Sequence, residues 1–153
     1  MELRAKLQAA TKDAMKAKDS ARLSTLRLIG AAVRDREIAA RGGDGDGTLT
    51  EADLVLILSR MVKQRQESAK AYEEGGRLEL AAKEEAEIGI IQEFLPRQMT
   101  EAETTAAIDA AVSELGASSI RDMGRVMAVL KDRHAGQMDF GAVGPMVKAR
   151  LMG

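Results

Sequence analysis

Apolar residues recur along this chain at steps of three and four, the spacing that gathers side chains on one face of an α-helix. The longest such stretch, Leu54 to Met99, holds two patterns broken at Gly75-Gly76 and stopped at Pro96. In the first, Leu54, Leu58, Met61, Ala69 and Tyr72 share a stripe, with Arg60, Lys63, Gln64, Glu67 and Lys70 on the remaining face. In the second, Leu80, Ile88, Ile91 and Leu95 form the stripe and Lys83, Glu85 and Glu93 lie elsewhere on the wheel. Each pattern has an inside and an outside, so the two predict a helical hairpin against which the rest of the chain packs.

Upstream, Leu3, Leu7, Ala10 and Ala14 predict a first helix that ends in lysines suited to the helix dipole. Asp19-Ser20 then offers an N-cap for a second helix with Leu23, Leu26, Ile29, Val33 and Ile38, running to about Ala40. Periodicity stops at Arg41–Gly47, where four glycines in six residues predict a mobile loop. Thr50 with Glu51 and Asp53 opens the third helix. Beyond Pro96, Thr100 and Glu103 form a capping-box pattern for a fifth helix with Ala107, Ile108, Ala111, Val112 and Leu115, ended by Gly116. Ser118 or Ser119 starts a sixth, with Ile120, Met123, Met127 and Leu130, stopped at Gly136. Asp139 begins a last short helix with Phe140, Val143, Val147 and Leu151, in which Pro145 must sit near the first turns or kink it. The expected fold is all-α: a four-helix N-terminal module, residues 1–96, followed by a small three-helix C-terminal module, residues 97–153.

Composition sharpens this picture. The chain has 153 residues, and its 26 alanines against one Tyr, two Phe and no Trp favour closely approaching helices over aromatic packing. The net charge of −1 provides no bulk attraction to nucleic acid or to an anionic membrane, so any such binding must come from a local patch. With no cysteine there is no disulfide, thiolate metal site or cysteine nucleophile. The amino-terminal stretch is charged throughout and lacks a signal-peptide core, and no segment reaches membrane-span length, which leads to the expectation of a cytoplasmic protein with no membrane partner.

Little chemistry stands out. Asp44, Asp46 and Thr48 imitate the opening of a calcium loop, but Leu49 and Val55 stand where a glycine and a glutamate are required. His134, the one histidine, falls near a helix end, where an imidazolium has a dipole role and no companion ligands for a metal. Glu84, Glu85 and Glu87 could suggest acid–base carboxylates, yet across the Gly75-Gly76 turn they can meet Lys63, Arg65 or Lys70 as structural ion pairs. No phosphate-cradling glycine loop, dinucleotide fingerprint or nucleophile elbow is present. No residue is expected to be catalytic, and neither a cofactor nor a metal is expected.

Basic residues are the remaining candidates. Arg60, Lys63 and Lys70 share a face of the third helix, Arg121 and Arg125 stand one turn apart on the sixth, and Lys131, Arg133, Lys148 and Arg150 follow. Such a series could track phosphates, although acidic neighbours interrupt it and no aromatic side chain interleaves to stack bases.

The segment KQRQESAKAYEEGGRLELAAKEEAEIGIIQEFLPRQMT resembles the signature of the YqeY family, and the likeness extends from Leu3 to Leu151. That family is related to the tail domain of the B subunit of the aspartyl/glutamyl-tRNA amidotransferase. Asp122-Met123-Gly124-Arg125-Val126-Met127, with Lys131, Gly136 and Asp139, is similar to the motif of that tail, which engages the tRNA body. The resemblance implies a tRNA-associated accessory protein, with an aminoacyl-tRNA synthetase or the amidotransferase as protein partner. Arg60, Lys63, Lys70, Arg121, Arg125, Lys131 and Lys148 are the expected contacts. It also implies a second reading, a component of glutamine-dependent amide transfer (a carbon–nitrogen ligase with glutamine as amido-N-donor). The chain itself contains no counterpart of the two active sites such a reaction needs, and a helical protein-interaction adaptor is the third reading.

Overall fold

In a computed structural model, residues 2–43 and 47–153 are described. They form seven α-helices and one 3-10 turn, with no strand among the described residues: α1 (Leu3–Ala17), α2 (Ser20–Arg41), α3 (Glu51–Glu74), α4 (Leu78–Gln92), α5 (Glu101–Leu115), the 3-10 turn Ile120–Asp122, α6 (Met123–Arg133) and α7 (Phe140–Met152). The mobile-loop and calcium-loop expectations rest on residues 44–46, which lie outside the described residues. Internal contacts divide the chain into two compact units, Met1–Leu95 and Pro96–Gly153.

The first unit is built on the α3–α4 hairpin. Leu58 and Ile91 are wholly excluded from solvent, and Leu54, Ile57, Met61, Val62 and Ile88 join Leu26, Ile29 and Val33 of α2 around them. The turn between the hairpin helices is closed by Arg77 N–H donating to the Tyr72 carbonyl at 2.8 Å, with Gly76 in the left-handed region at φ 73° that its lack of a Cβ permits. Ile38 departs from its expected place on the buried stripe and is 64% exposed, because five residues after Val33 it stands about 140° round the helix from it, while Glu37, paired with Arg4, and Ala40, packed on the core, continue the inner face. Asp19 caps α2 by accepting from Arg22 N–H at 3.2 Å, and Thr50 and Asp53 complete a reciprocal capping box on α3. Helix α1 has no side-chain N-cap of its own. Its Leu3 N–H instead donates to the Glu51 carboxylate at the start of α3, 3.0 Å away, a negative charge on a helix N-terminus supplied by another helix. The last turn of α4 tightens through Phe94 N–H to Ile91 O at 3.1 Å and Leu95 N–H to Gln92 O at 3.2 Å before Pro96 ends it.

The second unit packs α5, α6 and α7 around Ile108, Ala111, Val112, Val126, Leu130, Val143, Val147 and Leu151. Thr100 and Glu103 form the capping box of α5, and Gly116 ends that helix at φ 63°. Ser119 starts a 3-10 turn that runs directly into α6, so Arg121 belongs to this turn and the sixth α-helix begins at Met123. Asp139 caps α7 through Gly141 N–H at 3.0 Å. Pro145 lies inside α7, exposed, where its missing N–H removes one rung of the helical hydrogen-bond ladder, the one to the Gly141 carbonyl. The buried hydroxyl of Thr104 donates back to the Thr100 carbonyl at 2.9 Å, and that of Thr25 in the first unit to Ala21 at 3.4 Å, so neither is an orphan.

Candidate nucleic-acid interface

The seven candidate cations fall in both units, and each set is taken by itself. On α3, burial of Leu54, Ile57, Leu58, Met61, Val62 and Ala69 turns Arg60, Lys63 and Lys70 outward, and all three are exposed. Glu67 stands one turn from both Lys63 and Lys70, so this face is mixed in charge, and phosphates would meet repulsion along with attraction. The fourth basic residue of the helix turns inward. Arg65 Nε donates to Glu87 Oε2 at 2.9 Å, with the two side chains only 14% and 17% exposed, and its Nη1 donates to the Met61 carbonyl. Glu87 is thereby committed to joining α3 to α4. Glu84 is half-buried and Glu85 is exposed.

In the second unit, Arg121, Arg125, Lys131 and Lys148 are all exposed. Arg121 and Arg125 are one turn apart, as their spacing requires. Lys131 follows Arg125 by six residues, which turns it roughly a third of a turn to another side of α6. Arg125 is engaged: its Nη2 donates to Asp122 Oδ1 at 3.0 Å and more weakly to the Leu115 carbonyl at 3.4 Å. The other Asp122 oxygen accepts from Ser118 N–H at 3.0 Å and Ser119 N–H at 3.3 Å. These two backbone donors, with Arg125 adding to them, hold the Asp122 carboxyl below the usual carboxylate range. Arg121, Lys131 and Lys148 form no ion pair with a described residue.

The two further basic residues of this series bind their own fold. Arg133 pairs with Glu114 of α5 at 2.6 Å, and Arg150 with Asp109 of α5 at 2.9 Å. Arg97, which the sequence reading did not single out, forms a two-pronged contact with Glu103, at 3.0 and 2.7 Å, and lowers that carboxyl to about 2. A basic residue before a capping-box glutamate was the available signal. The seven basic side chains of residues 96–153 face seven acidic ones, and four of the seven cations are paired within the unit.

Much of the motif around Asp122 has a structural use. Asp122 ties down the turn before α6, Gly136 adopts φ 77° after it, and Asp139 caps α7. Gly124 has no such use. It is exposed on the first turn of α6, with no atom within 4 Å of the place a Cβ would occupy.

Residues 4–151 match a family model described as Yqey-like protein. A protein of Lachancea thermotolerans named "Altered inheritance of mitochondria protein 41, mitochondrial" is 31% identical over 150 residues, covering 97% of this chain and 78% of its own length. Proteins of the same name from Vanderwaltozyma polyspora and Eremothecium gossypii are each 36% identical, over 84 and 107 residues. Those matches cover 55% and 68% of this chain, and 43% and 56% of the relatives, about half of each. The naming of these relatives as mitochondrial overturns the expectation of a cytoplasmic protein. A charged, amphipathic amino terminus argues only against a secretory core, and side chains of that kind suit a mitochondrial interior as well as the cytosol. Among the described residues no helix is long and apolar enough to cross a membrane. The match over nearly the whole length, together with the helical hairpin whose residues carry the signature segment, makes this chain a member of the Yqey-like protein family.

Proposed function

We propose that this protein is a tRNA-associated accessory factor without chemistry of its own. Its C-terminal module makes the phosphate contacts, and an aminoacyl-tRNA synthetase or a tRNA-dependent amidotransferase is its protein partner. In this reading the division into four and three helices is one of independently folding modules, with Arg60, Lys63 and Lys70 of the first playing a secondary part. The observation that carries it is Gly124. An exposed glycine costs roughly 0.5 to 1 kcal/mol relative to alanine in a helix interior, and Gly124, the second residue of α6, carries a part of that cost. No packing inside the unit accounts for it, and it lies beside Arg125 and within one turn of Arg121. A bare backbone flanked in sequence by two arginines suits the close approach of a phosphodiester chain. The similarity of this segment to the amidotransferase tail supports the same reading.

The test is a titration of folded tRNA and of an unstructured strand of equal length at two salt concentrations, with wild type and a folded Arg125→Glu, Lys131→Glu, Lys148→Glu variant. The expected result is weak binding that favours tRNA, is lost in the variant, and has a shallow salt slope of roughly 0.7 to 0.9 per phosphate contacted. Equal binding by the variant, or no binding at low salt, would move the assignment to a protein-interaction adaptor. ATP- and glutamine-dependent amide formation by the purified chain alone would instead make it a carbon–nitrogen ligase component.

A further inference from the structure

Helices α1 and α2 do not close on each other along their whole length. Between them runs a crevice of about 410 Å³, within the size range of small-molecule sites. Two helical stripes line it, Arg4 to Lys12 on α1 and Leu26 to Glu37 on α2, which makes it about 12 to 16 Å long at 1.5 Å per residue. Its floor is aliphatic: Leu7, Leu26, Ile29 and Val33, with Leu54 of α3 beneath. Gly30 lies on its wall, where a Cβ would meet only the guanidinium of Arg34, 3.8 Å away. The Thr11 hydroxyl is occupied by the Leu7 carbonyl at 2.8 Å and offers the crevice little polarity.

The rim is positive. Lys12, Arg27 and Arg34 line it without an ion pair to any described residue, and the only carboxylate of the lining, Glu37, is neutralised by Arg4 at 3.1 Å. Three cations around one slot whose single lining carboxylate is already paired give the rim a local positive charge that the net charge of −1 does not show. The floor residues Leu26, Ile29 and Val33 are each under a tenth exposed. The accessible lining is therefore the half-buried flank of Leu7, Thr11 and Gly30 over that floor, a narrow strip and not the broad groove and interface of roughly 1,000 Å² that a partner helix needs. A slender chain can slide in where a helix cannot.

We propose that this crevice binds a single-chain amphiphile with an anionic head group, of the class of medium-chain fatty carboxylates. The acyl chain lies along the crevice against Leu7 and Gly30, and the carboxylate is held by Arg27, Arg34 or Lys12, guanidinium forks being suited to both oxygens of a carboxylate. This site belongs to the first unit and is independent of the RNA contacts proposed for the second.

Isothermal titration of the full chain with dodecanoate, below its micellar concentration, tests this. One saturable equivalent is expected, with no saturable binding of dodecyltrimethylammonium, which has the same tail and the opposite charge. Gly30→Leu fills the slot from a position with helical backbone and open space, so it should keep the thermal midpoint while weakening dodecanoate at least about tenfold. Arg27→Glu with Arg34→Glu should weaken it about tenfold through the head group. If Gly30→Leu does not fold, amide chemical-shift changes on adding dodecanoate to wild type decide, and they must cluster on the crevice lining. Absence of saturable binding, equal binding of the cationic amphiphile, a folded Gly30→Leu that binds as wild type, or shifts located elsewhere would each overturn the proposal. So would tighter competition by an acidic amphipathic peptide, or a dimer abolished by Gly30→Leu, which would identify the occupant as a protein segment or a second copy.

Discussion

Two leucines on α3 separate the core face of the hairpin from its outer face. Leu58 is 0% exposed and Leu56, two residues earlier on the same helix, is 49% exposed. Replacing Leu58 by Ala removes about three CH2-sized groups from a site with no solvent contact, at about 0.8 kcal/mol each. The remaining cavity is hemmed by Ile91, also 0% exposed, and by Ile29 at 1%, which cannot collapse into it without moving α2 or α4. The total should reach about 2.5 to 5 kcal/mol. Leu56→Ala loses a side chain already half in water and gains helix propensity, so it should cost less than about 1 kcal/mol. In urea, with a slope of roughly 1.5 kcal/mol/M, the Leu58 variant should shift the unfolding midpoint of the first unit down by at least about 1.5 M, and the Leu56 variant by well under half of that. Circular dichroism at equilibrium suffices to read both. Equal shifts for the two variants, or no shift for Leu58→Ala, would refute the assignment of the buried stripe.

Glu87→Gln should destabilise the protein by about 1 to 3 kcal/mol in the same assay, because it leaves the half-buried Arg65 guanidinium without its anion, whereas Arg65→Met combined with Glu87→Leu should recover most of the loss. The Glu103 carboxyl, lowered from 4.5 to about 2 by Arg97 and by Thr100 N–H, contributes stability that is complete above about pH 4.5 and is lost as pH falls toward 2. Acid titration of thermal midpoints should therefore show a decline across that window that is weaker in Glu103→Gln. Gly89 is exposed in the interior of α4 with open space at its missing Cβ, and Gly89→Ala should raise stability by about 0.5 to 1 kcal/mol in urea denaturation. Glu51→Ala should cost about 1 kcal/mol by uncapping α1, and faster amide exchange confined to the first turn of that helix would identify the cause.

What the sequence determined alone is what lies within one or two turns of a residue. The period of three and four placed Leu58, Ile91, Leu130 and Val147 on buried faces, since a helix fixes the relative direction of side chains whatever surrounds it, although on α6 it marked Met127 where the neighbouring Val126 is the buried residue. The caps at Asp19, Thr50, Thr100 and Asp139 were legible for the same reason: donor and acceptor are two or three residues apart. Spacing likewise placed Arg121 within a turn of Arg125. It could not say that the turn there is 3-10, because the choice rests on how Ser118 and Ser119 hang on the Asp122 carboxylate. The exposure of Ile38 follows from helix geometry, since five residues from Val33 is about 140° round the helix and off the stripe that Glu37 and Ala40 continue. Only tertiary structure decided which charges are spent inside the fold. Arg65 meets Glu87 across the hairpin, Arg133 and Arg150 meet acids of α5, and Glu51 caps a helix 48 positions upstream, all contacts between residues far apart in sequence. The crevice between α1 and α2 is of the same kind: each helix alone displays an ordinary amphipathic stripe, and a slot with a basic rim exists only where the two stripes face each other without meeting.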